Sequence, residues 1–337
     1  MKLLSIIVPC YNSSGYMRHC IDTLLAGGKA VEIIIVNDGS TDNTPAIADE
    51  YRRKYPGVVN VIHQTNKGHG GAINSGLQEA SGMFVKIVDS DDWVDATSYK
   101  AIIKTIELFS ADSLPDALIS NYVYEKLGKR RKTAIGYSDV FPEGRMFTWD
   151  EVGRFRLGRY MLMHAIIYRR DILCKSGLLL PENTFYVDNI YAYTPLAHVE
   201  TMYYLNVDFY RYFIGRDGQS VQEKTMIKRV DQQLSVNKLM IESVNLSDIA
   251  SENKRKYLMH YLEIVTAVSS ILLLKEGSRA SMMKKDELWR FIKTKDAAVY
   301  SGLRKSFLGR ILHLRTPFGR LAAIAVYKIS RMIVGFN

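Results

Sequence analysis

Cysteine is scarce in this chain of 337 residues, and its few thiols form no recognisable pattern. Cys10, Cys20 and Cys174 are an odd number at unrelated spacings, so neither a disulfide framework nor a zinc site can be read from them. Such use of cysteine is typical of a reducing compartment, and we expect the cytosol. The N-terminus has no basic region followed by an apolar core and a cleavage site, so we expect no signal peptide.

Two common nucleotide-binding motifs are also missing. The sequence contains no phosphate-cradling GxxxxGK[ST] loop, and no GxGxxG follows its first apolar run. It therefore supports neither a P-loop NTPase nor a dinucleotide-dependent oxidoreductase.

Acidic residues are missing from the C-terminal segment 297–337, which supplies seven of the ten net positive charges of the chain. Apolar residues at helical spacing are interleaved with these charges, and Pro317 divides the segment into two helices. This pattern predicts interfacial helices on an anionic membrane surface. The alternative is a helical cap or homodimer surface whose charges face water. No nucleic-acid motif accompanies the charge, so we expect no nucleic acid partner. The basic residues are Arg304, Lys305, Arg310, Arg315, Arg320, Lys328 and Arg331.

Apolar runs and helical segments alternate over about the first 95 residues. Because strands that alternate with helices form parallel sheets, the sequence predicts an α/β fold with a mostly parallel, doubly wound sheet. The loops that follow its strands then meet at one sheet edge, where ligands bind. The predicted strands are 3–8, 31–36, 58–63 and 83–88, and the predicted helices are 15–25, 43–55, 71–80 and 95–109.

The rest of the chain predicts a second half of the sheet and then an α-helical extension. Strands are expected at 117–126, 160–168 and 201–213, with a basic hairpin tip at 129–132. We expect a catalytic domain over 1–222, with a nucleotide-binding half (1–100) and an acceptor half (101–222). The helical C-terminal region, 223–337, ends in the basic amphipathic tail. Its apolar run 262–274 is too short to span a bilayer.

Three carboxylates follow the strand at 83–88, in the sequence Asp89-Ser90-Asp91-Asp92. Carboxylates this close repel and raise one another's pKa, and a hard, oxygen-liganded divalent cation removes that cost. The alternative is a solvated acidic loop in which Asp92 or Asp95 caps the next helix.

Three further segments predict parts of a nucleotide site. Residues 9–12 (PCYN) and 38–40 (DGS) could hold a flat heterocycle through backbone groups and one carboxylate, although each alone could be an ordinary turn. The glycine-rich segment 66–71 (NKGHGG) lets the backbone approach a ligand closely and offers a cation. Arg211, Arg216 and Ser220 could steady a diphosphate.

These motifs carry a resemblance. The strings SIIVPCYNSSGYMRHCIDTLL, EIIIVNDGSTDNT and NKGHGGAINSGLQEASGMFVKIVDSDDWVD are similar, in order and spacing, to those of family 2 glycosyltransferases of the bacterial cell-surface polysaccharide type. That family has the nucleotide-diphospho-sugar (GT-A) fold. The resemblance covers about the first 100 residues, continues more weakly to Val221, and does not cover the helical C-terminus.

The resemblance implies roles for individual residues. Asp91 would be the metal ligand of the DxD motif and would hold Mn²⁺ or Mg²⁺ against the diphosphate. Asp89 and Ser90 would contact the ribose side of the nucleotide. Arg216 and Ser220 match the family's Arg…Ser element. The remaining nucleotide-sugar-binding residues would be Pro9, Tyr11, Asn12 and Asp38 around the base, most often uracil, and Lys67 and Gly68 where the family closes over the nucleotide.

The family inverts the anomeric centre, with an Asp as general base. That Asp follows a Glu and precedes an aromatic residue by three positions. Here Asp188 and Tyr191 match this pattern, but Val187 stands in place of the Glu. Two residues could line the acceptor site. Trp93 could stack on a sugar face or be a core residue, and His164, alone in an apolar strand, could be purely structural.

We therefore predict a metal-dependent inverting glycosyltransferase. It would move a sugar from a nucleotide-diphospho-sugar, UDP-linked by this prediction, to a lipid-linked or growing glycan at the cytoplasmic face of the membrane. The alternative is a non-catalytic GT-A-fold partner subunit that binds nucleotide or glycan, which the change at Val187 favours. A sugar-nucleotide pyrophosphorylase is less well supported, because no glycine-rich loop with Arg or Lys follows the first strand.

Overall fold

In the computed structural model, residues 2–110, 113–128, 132–215, 219 and 222–313 are described. The chain forms two compact units. The first comprises Met1–Gly153 and Met161–Ile214, and the second comprises Arg154–Tyr160 and Gly215–Asn337. The sequence placed the end of its catalytic domain at residue 222; the division between the units falls after Ile214 and gives residues 154–160 to the second unit.

The first unit is built on one ten-stranded sheet, whose strands follow the order β3-β2-β1-β4-β9-β6-β10-β5, with β7 on β6 and β8 on β10. The strands are β1 (Leu4–Cys10), β2 (Val31–Asp38), β3 (Val59–Gln64), β4 (Phe84–Ile87), β5 (Trp93–Val94), β6 (Ala117–Lys126), β7 (Thr133–Ile135), β8 (Met146–Thr148), β9 (Ile166–Arg169) and β10 (Thr201–Ile214).

The first four long strands form the parallel part of the sheet. β1 pairs with β2 on one side and β4 on the other, and β2 pairs with β3, all in parallel. Every residue of β1, β2 and β4 is buried, as expected for parallel strands covered on both faces. The α/β architecture with a parallel first half is therefore confirmed.

Helices connect these strands. The third helix begins at Gly68, three residues before the predicted start, so most of the glycine-rich segment is its first turn rather than a loop. This helix packs closely on β1, because a Cβ on its Gly76 would lie 2.4 Å from Ile7 Cγ2. The helices of this unit are α1 (Met17–Leu24), α2 (Thr44–Lys54), α3 (Gly68–Glu79), α4 (Ala96–Leu108), α5 (Arg170–Lys175) and α6 (Asp188–Tyr193).

The second half of the sheet is mixed. β9 runs antiparallel to both β4 and β6, whereas β10 runs parallel to β6 with register shifts between Leu205 and Tyr210. Where the sequence predicted a strand from residue 160, a 3₁₀ turn, Met163–Ala165, precedes β9. The reason is a buried donor, since the carbonyls of Met163, His164 and Ile166 all accept hydrogen bonds from Lys86 Nζ.

The described part of the second unit is helical, as predicted. Its longest helix, α9, is long and apolar enough to cross a membrane by length and composition alone, but most of its apolar window is buried within the unit. That burial is typical of the core helix of a bundle. Residues 314–337, most of the predicted tail, lie outside the described residues. The helices are α7 (Glu223–Lys228), α8 (Val230–Ser243), α9 (Glu252–Glu276), α10 (Arg279–Lys295), α11 (Ala297–Lys305) and α12 (Phe307–Leu312).

Candidate active site

The loops after β1, β2 and β4 meet at one edge of the parallel sheet and bind one another. Asn12 N donates to Ser40 Oγ (3.0 Å), and Thr41 N donates to Asn12 Oδ1 (2.8 Å). Ser13 and Ser90 share a hydrogen bond of 2.8 Å between their hydroxyl groups. The three predicted motifs therefore lie side by side.

The segments assigned to the nucleotide base surround Asp38, which ends β2. Its Oδ1 accepts hydrogen bonds from Gln64 Nε2 (2.7 Å) and Lys67 N (2.8 Å). Pro9 is buried in β1, whereas the ring of Tyr11 is 54% exposed. The structure thus places an exposed aromatic ring in the loop after β1 and a carboxylate at the end of β2 that is held by β3 and by the residue before α3.

The lysine of the glycine-rich segment has an acidic partner. Lys67 Nζ lies 3.4 Å from Glu182 Oε1, and both side chains are about half exposed. Gly68 has a φ of 74°, and a Cβ there would lie 2.9 Å from Asn183 Cα. A side chain at Gly68 would therefore be strained twice, by its own backbone and by its neighbour.

The three acidic residues after β4 differ in their surroundings. Asp92 is 1% exposed; its Oδ2 accepts from Tyr210 Oη (2.6 Å) and its Oδ1 from Phe213 N (2.8 Å). Asp91 is partly exposed. Asp95, and not Asp92, caps α4, since its Oδ1 accepts from the backbone of Thr97 and Ser98. Asp92 thus ties the acidic loop to β10.

Burial and neighbouring charges set the protonation of this loop. Burial, and then the negative charge of Asp89, raise the pKa of Asp92 well above its usual value. Burial also raises the pKa of Asp89, but His69, His164 and Lys86 together lower it, so the net shift is downward. The two side chains are in contact, with His69 Nε2 2.9 Å from Asp89 Oδ1. The loop therefore favours one charged and one neutral carboxyl.

A lysine that interrupts the apolar strand β4 lies below this loop. Lys86 is fully buried and donates to the carbonyls of Met163 (2.8 Å), His164 (2.6 Å) and Ile166 (3.1 Å). Burial lowers its pKa, whereas Asp89 and then Asp92 favour its charge. The sequence marked Lys86 as an exception in an apolar run but gave it no role.

His164 lies against the acidic loop rather than on an exposed surface. Its ring is 5% exposed and stacks on Tyr212, with the ring centroids 4.2 Å apart. Burial lowers its pKa to about 3, so the ring is neutral. Its Nδ1 is buried and has no hydrogen-bond partner among the described residues.

The donor set fits a divalent cation. Ligand atoms of Asp89, Asp92 and His164 all lie within 4.8 Å of one another, and His164 Nδ1 has no hydrogen-bond partner among the described residues. Both oxygens of Asp92, however, already accept protein hydrogen bonds, which makes Asp92 the weakest donor of the group. The cluster thus offers hard carboxylate oxygens to Mn²⁺ or Mg²⁺ through Asp89 and Asp92, and it does not include Asp91, the ligand predicted from the sequence.

Two side chains assigned to substrate have protein partners. Trp93, in β5, is half-buried between the rings of His19 (centroids 4.9 Å apart) and Phe213 (5.8 Å). Arg211 pairs with Asp95 (3.0 Å) and Glu125 (3.4 Å), which argues against its suggested contact with a diphosphate. Arg216 and Ser220 lie outside the described residues.

Asp188 is the first residue of α6 and is partly buried. Burial, reinforced by Asp89, raises its pKa to about 6, although the charge of His69 acts in the opposite direction. A carboxylate with such a pKa can accept a proton near neutral pH. Val187, which replaces the family's Glu, is completely buried.

The comparisons with known proteins agree with this geometry. The structure superposes on the S. aureus TarS 1–349 structure in complex with UDP-GlcNAc, with a TM-score of 0.71, 23% identity, and 98% of this chain and 91% of that chain covered. It also resembles the mannosyltransferase PcManGT of Pyrobaculum calidifontis, in complex with GDP-Man and Mn²⁺ (TM-score 0.55, 13% identity, 98% and 86% covered). The predicted GT-A fold is confirmed.

Sequence comparison gives the family. Residues 5–171 match the model of Glycosyl transferase family 2, and through them the chain belongs to that family. It is 27% identical over 299 residues to the putative glycosyltransferase EpsH of Bacillus subtilis (strain 168), covering 82% of this chain and 79% of EpsH. It is 34% identical over 113 residues to the minor teichoic acid biosynthesis protein GgaA of the same strain, covering 32% and 25%. The protein is a glycosyltransferase.

Proposed function

We propose that the protein is a metal-dependent, inverting glycosyltransferase that moves a sugar from a UDP-sugar to a cell-surface glycan or its lipid-linked precursor. The observation that carries the proposal is Asp188. It has a pKa of about 6 and lies in the electrostatic field of Asp89 and His69, so it belongs to the same cluster as the acidic loop.

Asp188 is the proposed general base. An attacking hydroxyl has a high pKa, so a carboxylate within hydrogen-bond reach must accept its proton as the new bond forms. A single base acting opposite the leaving group produces inversion, and no covalent nucleophile is needed. The burial that raises the pKa of Asp188 makes it a stronger base than an exposed aspartate.

The nucleotide is proposed to lie on the edge formed by the loops after β1, β2 and β4. Pro9, Tyr11, Asn12 and Asp38 would hold the base, and Lys67 and Gly68 would close over it. Asp89 and Ser90 would contact the ribose side. The complex of TarS with UDP-GlcNAc supports a UDP-sugar as donor.

Asp91 is the proposed metal ligand, beside Asp89. A bound Mn²⁺ or Mg²⁺ would stabilise the negative charge that develops on the diphosphate leaving group. The Mn²⁺ in the PcManGT complex supports this cofactor. The protein's own part is to hold the loop in shape through the buried contacts of Asp92 and Lys86.

The acceptor is proposed to be a lipid-linked or growing surface glycan, reached at the cytoplasmic face of the membrane. The similarity to GgaA supports a surface polymer. In the second unit, Phe307 is 59% exposed and lies between the exposed Lys305 and Arg310. An apolar ring flanked by cations suits an anionic lipid surface better than a polar solvent.

Release of UDP from a panel of UDP-sugars, with and without Mn²⁺, tests the proposal. We expect slow release from one donor that requires metal and is lost in Asp91→Ala and Asp188→Asn. If no donor releases UDP in the presence of membrane extracts that supply acceptors, while UDP still binds, the alternative of a non-catalytic partner subunit replaces the proposal. The observation that favours this alternative is the buried Val187 in place of the family's Glu.

A further inference from the structure

The residues that lead into Asp188, 180–187, form a segment without helix or strand, which we call the base-bearing segment. Two of its non-glycine residues, Asn183 and Tyr186, have positive φ angles of 51° and 67°. Asparagine adopts such angles more readily than most residues, but a bulky tyrosine rarely does. Contacts with the rest of the unit must therefore impose this conformation.

Asn74, on α3, binds the start of the base-bearing segment with both ends of its amide group. Its Nδ2 donates to Leu180 O (2.8 Å), and Leu180 N donates to its Oδ1 (3.0 Å). This pairing satisfies both backbone groups of Leu180 and fixes the direction of the chain there. The Leu180 side chain is 1% exposed, so the anchor is also an apolar one.

The next residues of the segment lie directly on the start of α3. Asn183 N donates to Lys67 O (2.7 Å). A Cβ on Gly70 would lie 2.4 Å from Pro181 O. Backbone therefore meets backbone along this contact, which explains why the glycine-rich segment has no side chain at these points. The start of α3 is itself fixed, because Lys67 N donates to Asp38 Oδ1 (2.8 Å).

Short hydrogen-bonded turns connect this anchored segment to Asp188. Asn189 donates to Tyr186 O through both its backbone N (3.2 Å) and its side-chain Nδ2 (3.1 Å). Tyr191 N donates to Val187 O (3.0 Å), and Val187 is completely buried. Asp188 lies inside these two turns, so its position follows from that of the docked segment.

We propose that Asn74 is a positioning residue for Asp188, and that Gly70 is the glycine whose missing side chain lets the base-bearing segment dock. The inference rests on the proposed function, since it requires Asp188 to be the general base. Among the described residues, the Asn74 side chain makes its hydrogen bonds to Leu180 and makes none to Asp188 or the acidic loop. It therefore acts through Leu180.

Two variants on α3 test this, one by removing hydrogen bonds and the other by adding a methyl group. Asn74→Ala removes both hydrogen bonds to Leu180, and Gly70→Ala adds a methyl group against Pro181 O, although alanine favours a helix by about 1 kcal/mol. We expect each to lower kcat about 10- to 100-fold, the scale of a misplaced catalytic group. The dissociation constant of UDP should change less than about threefold, since the docked segment leaves Asp38 in place.

The pH–rate profile separates positioning from a merely structural role. In the wild type we expect the acid limb near pH 6, the pKa of Asp188. In both variants it should move toward lower pH, because a displaced base is more solvated. Asn74→Asp keeps the acceptor for Leu180 N and should recover part of the lost kcat.

Two matched controls report general destabilisation. Asn121→Ala removes a more deeply buried amide that donates to Asn206 (2.8 Å) and Asp208 (3.1 Å), away from the base-bearing segment. Gly15→Ala adds a methyl group with no atom within 4 Å. Both should leave the acid limb of the profile unchanged even if the melting temperature of Asn121→Ala falls.

The outcomes are distinguishable from failure of the proposed function. Absence of turnover in wild type, or full turnover in Asp188→Asn, would defeat the proposed function itself. A different result is that turnover requires Asp188 but both folded variants, Asn74→Ala and Gly70→Ala, keep the wild-type kcat and acid limb. This result would overturn only the proposed roles of Asn74 and Gly70. If Asn74→Ala does not fold, Gly70→Ala and Asn74→Asp decide the question by the same measurements.

Discussion

The acidic residues after β4 are adjacent in sequence but have different surroundings. Asp92 is enclosed by partners from β10, whereas Asp91 is partly exposed. The sequence showed that carboxylates cluster here, but it could not tell these two residues apart. Tyr210 and Phe213 lie 118 and 121 residues further along the chain, and only the folded sheet brings them to Asp92.

Asp92→Ala should therefore reduce stability, whereas Asp91→Ala should reduce the effect of bound ligands. Without metal, Asp92→Ala should lose about 2–3 kcal/mol of unfolding free energy, because it removes the buried acceptor of the Tyr210 hydroxyl and of the Phe213 N–H. Asp91→Ala should unfold nearly like wild type but lose the increase in melting temperature that Mn²⁺ and UDP give to wild type. Thermal unfolding with and without these ligands makes the comparison. Loss of the Mn²⁺ effect in Asp92→Ala at an unchanged metal-free melting temperature would contradict the assignment.

The pKa of Asp188 leads to a prediction for pH. Transfer should fall about tenfold per pH unit below pH 6, because only the ionised carboxylate accepts a proton. Asp188→Asn should reduce kcat by at least about 100-fold. Initial rates between pH 4.5 and 8, at saturating donor, make this measurement. An acid limb near pH 4 would show that the base is an exposed carboxylate instead.

The raised pKa of Asp188 also predicts how the stability of the protein depends on pH. Burial raises the folded-state pKa of Asp188 from 3.8 to about 6, so the folded protein holds this proton more tightly than the unfolded chain. The contribution of Asp188 to stability therefore falls as pH rises from about 4 to 6. Asp188→Asn should be more stable than wild type at pH 7, by roughly 1–3 kcal/mol, and the difference should vanish below pH 4. Chemical denaturation at both pH values tests it.

Among the elements, the strands of the parallel half follow from sequence alone. Continuous apolar runs separated by helical segments specified β1 to β4 with nearly their observed bounds. The turn before β9 did not follow in this way. Residues 160–168 are apolar and look like strand, but Lys86 Nζ, on the neighbouring strand, donates to three carbonyls of residues 163–166 and so brings them toward one point. The sequence of residues 160–168 alone gives no sign of a hydrogen-bond donor 77 residues away in the chain.

Lys86→Met should expose this dependence of one element on another. Methionine fills a similar volume but leaves the carbonyls of Met163, His164 and Ile166 without their donor. We expect a loss of roughly 3 kcal/mol of unfolding free energy, at the upper end for a single buried polar group. The matched control is Lys104→Met, an exposed lysine on α4. Equal stability of the two variants in urea would show that the three hydrogen bonds contribute nothing.

At the scale of the whole molecule, we assign the proposed transfer reaction to the first unit and the proposed membrane contact to the second. The second unit has its own buried polar contacts, such as Asn237 to Thr266 (3.1 Å) and Trp289 to Ser270 (3.2 Å). Its last described helices are α11 and α12, and the basic composition of the tail begins there. The sequence identified the charge and the helices, but the lipid partner stays a prediction.

Membrane attachment should depend on these cations. Changing Arg304, Lys305 and Arg310 to Gln together should weaken binding to vesicles of phosphatidylglycerol and phosphatidylcholine about 100-fold, at roughly 1 kcal/mol per charge. The matched control changes Arg52, Arg53 and Lys54, three exposed cations at the end of α2, to Gln. Vesicle sedimentation at low and high salt measures the effect. Equal losses in the two triple variants would mean that net charge, and not this surface, is responsible.

The bond between Tyr210 and Asp92 has a consequence for the order in which the protein is made. A ribosome adds about 5–20 residues per second, so the acidic loop emerges well before the strand that must enclose Asp92. During that interval the first four strands can pair, since all of them are already synthesised, but Asp92 stays in water. The parallel half of the sheet thus gains its finished carboxylate loop only when β10 arrives, and a chain arrested before residue 210 would carry a sheet without the completed loop.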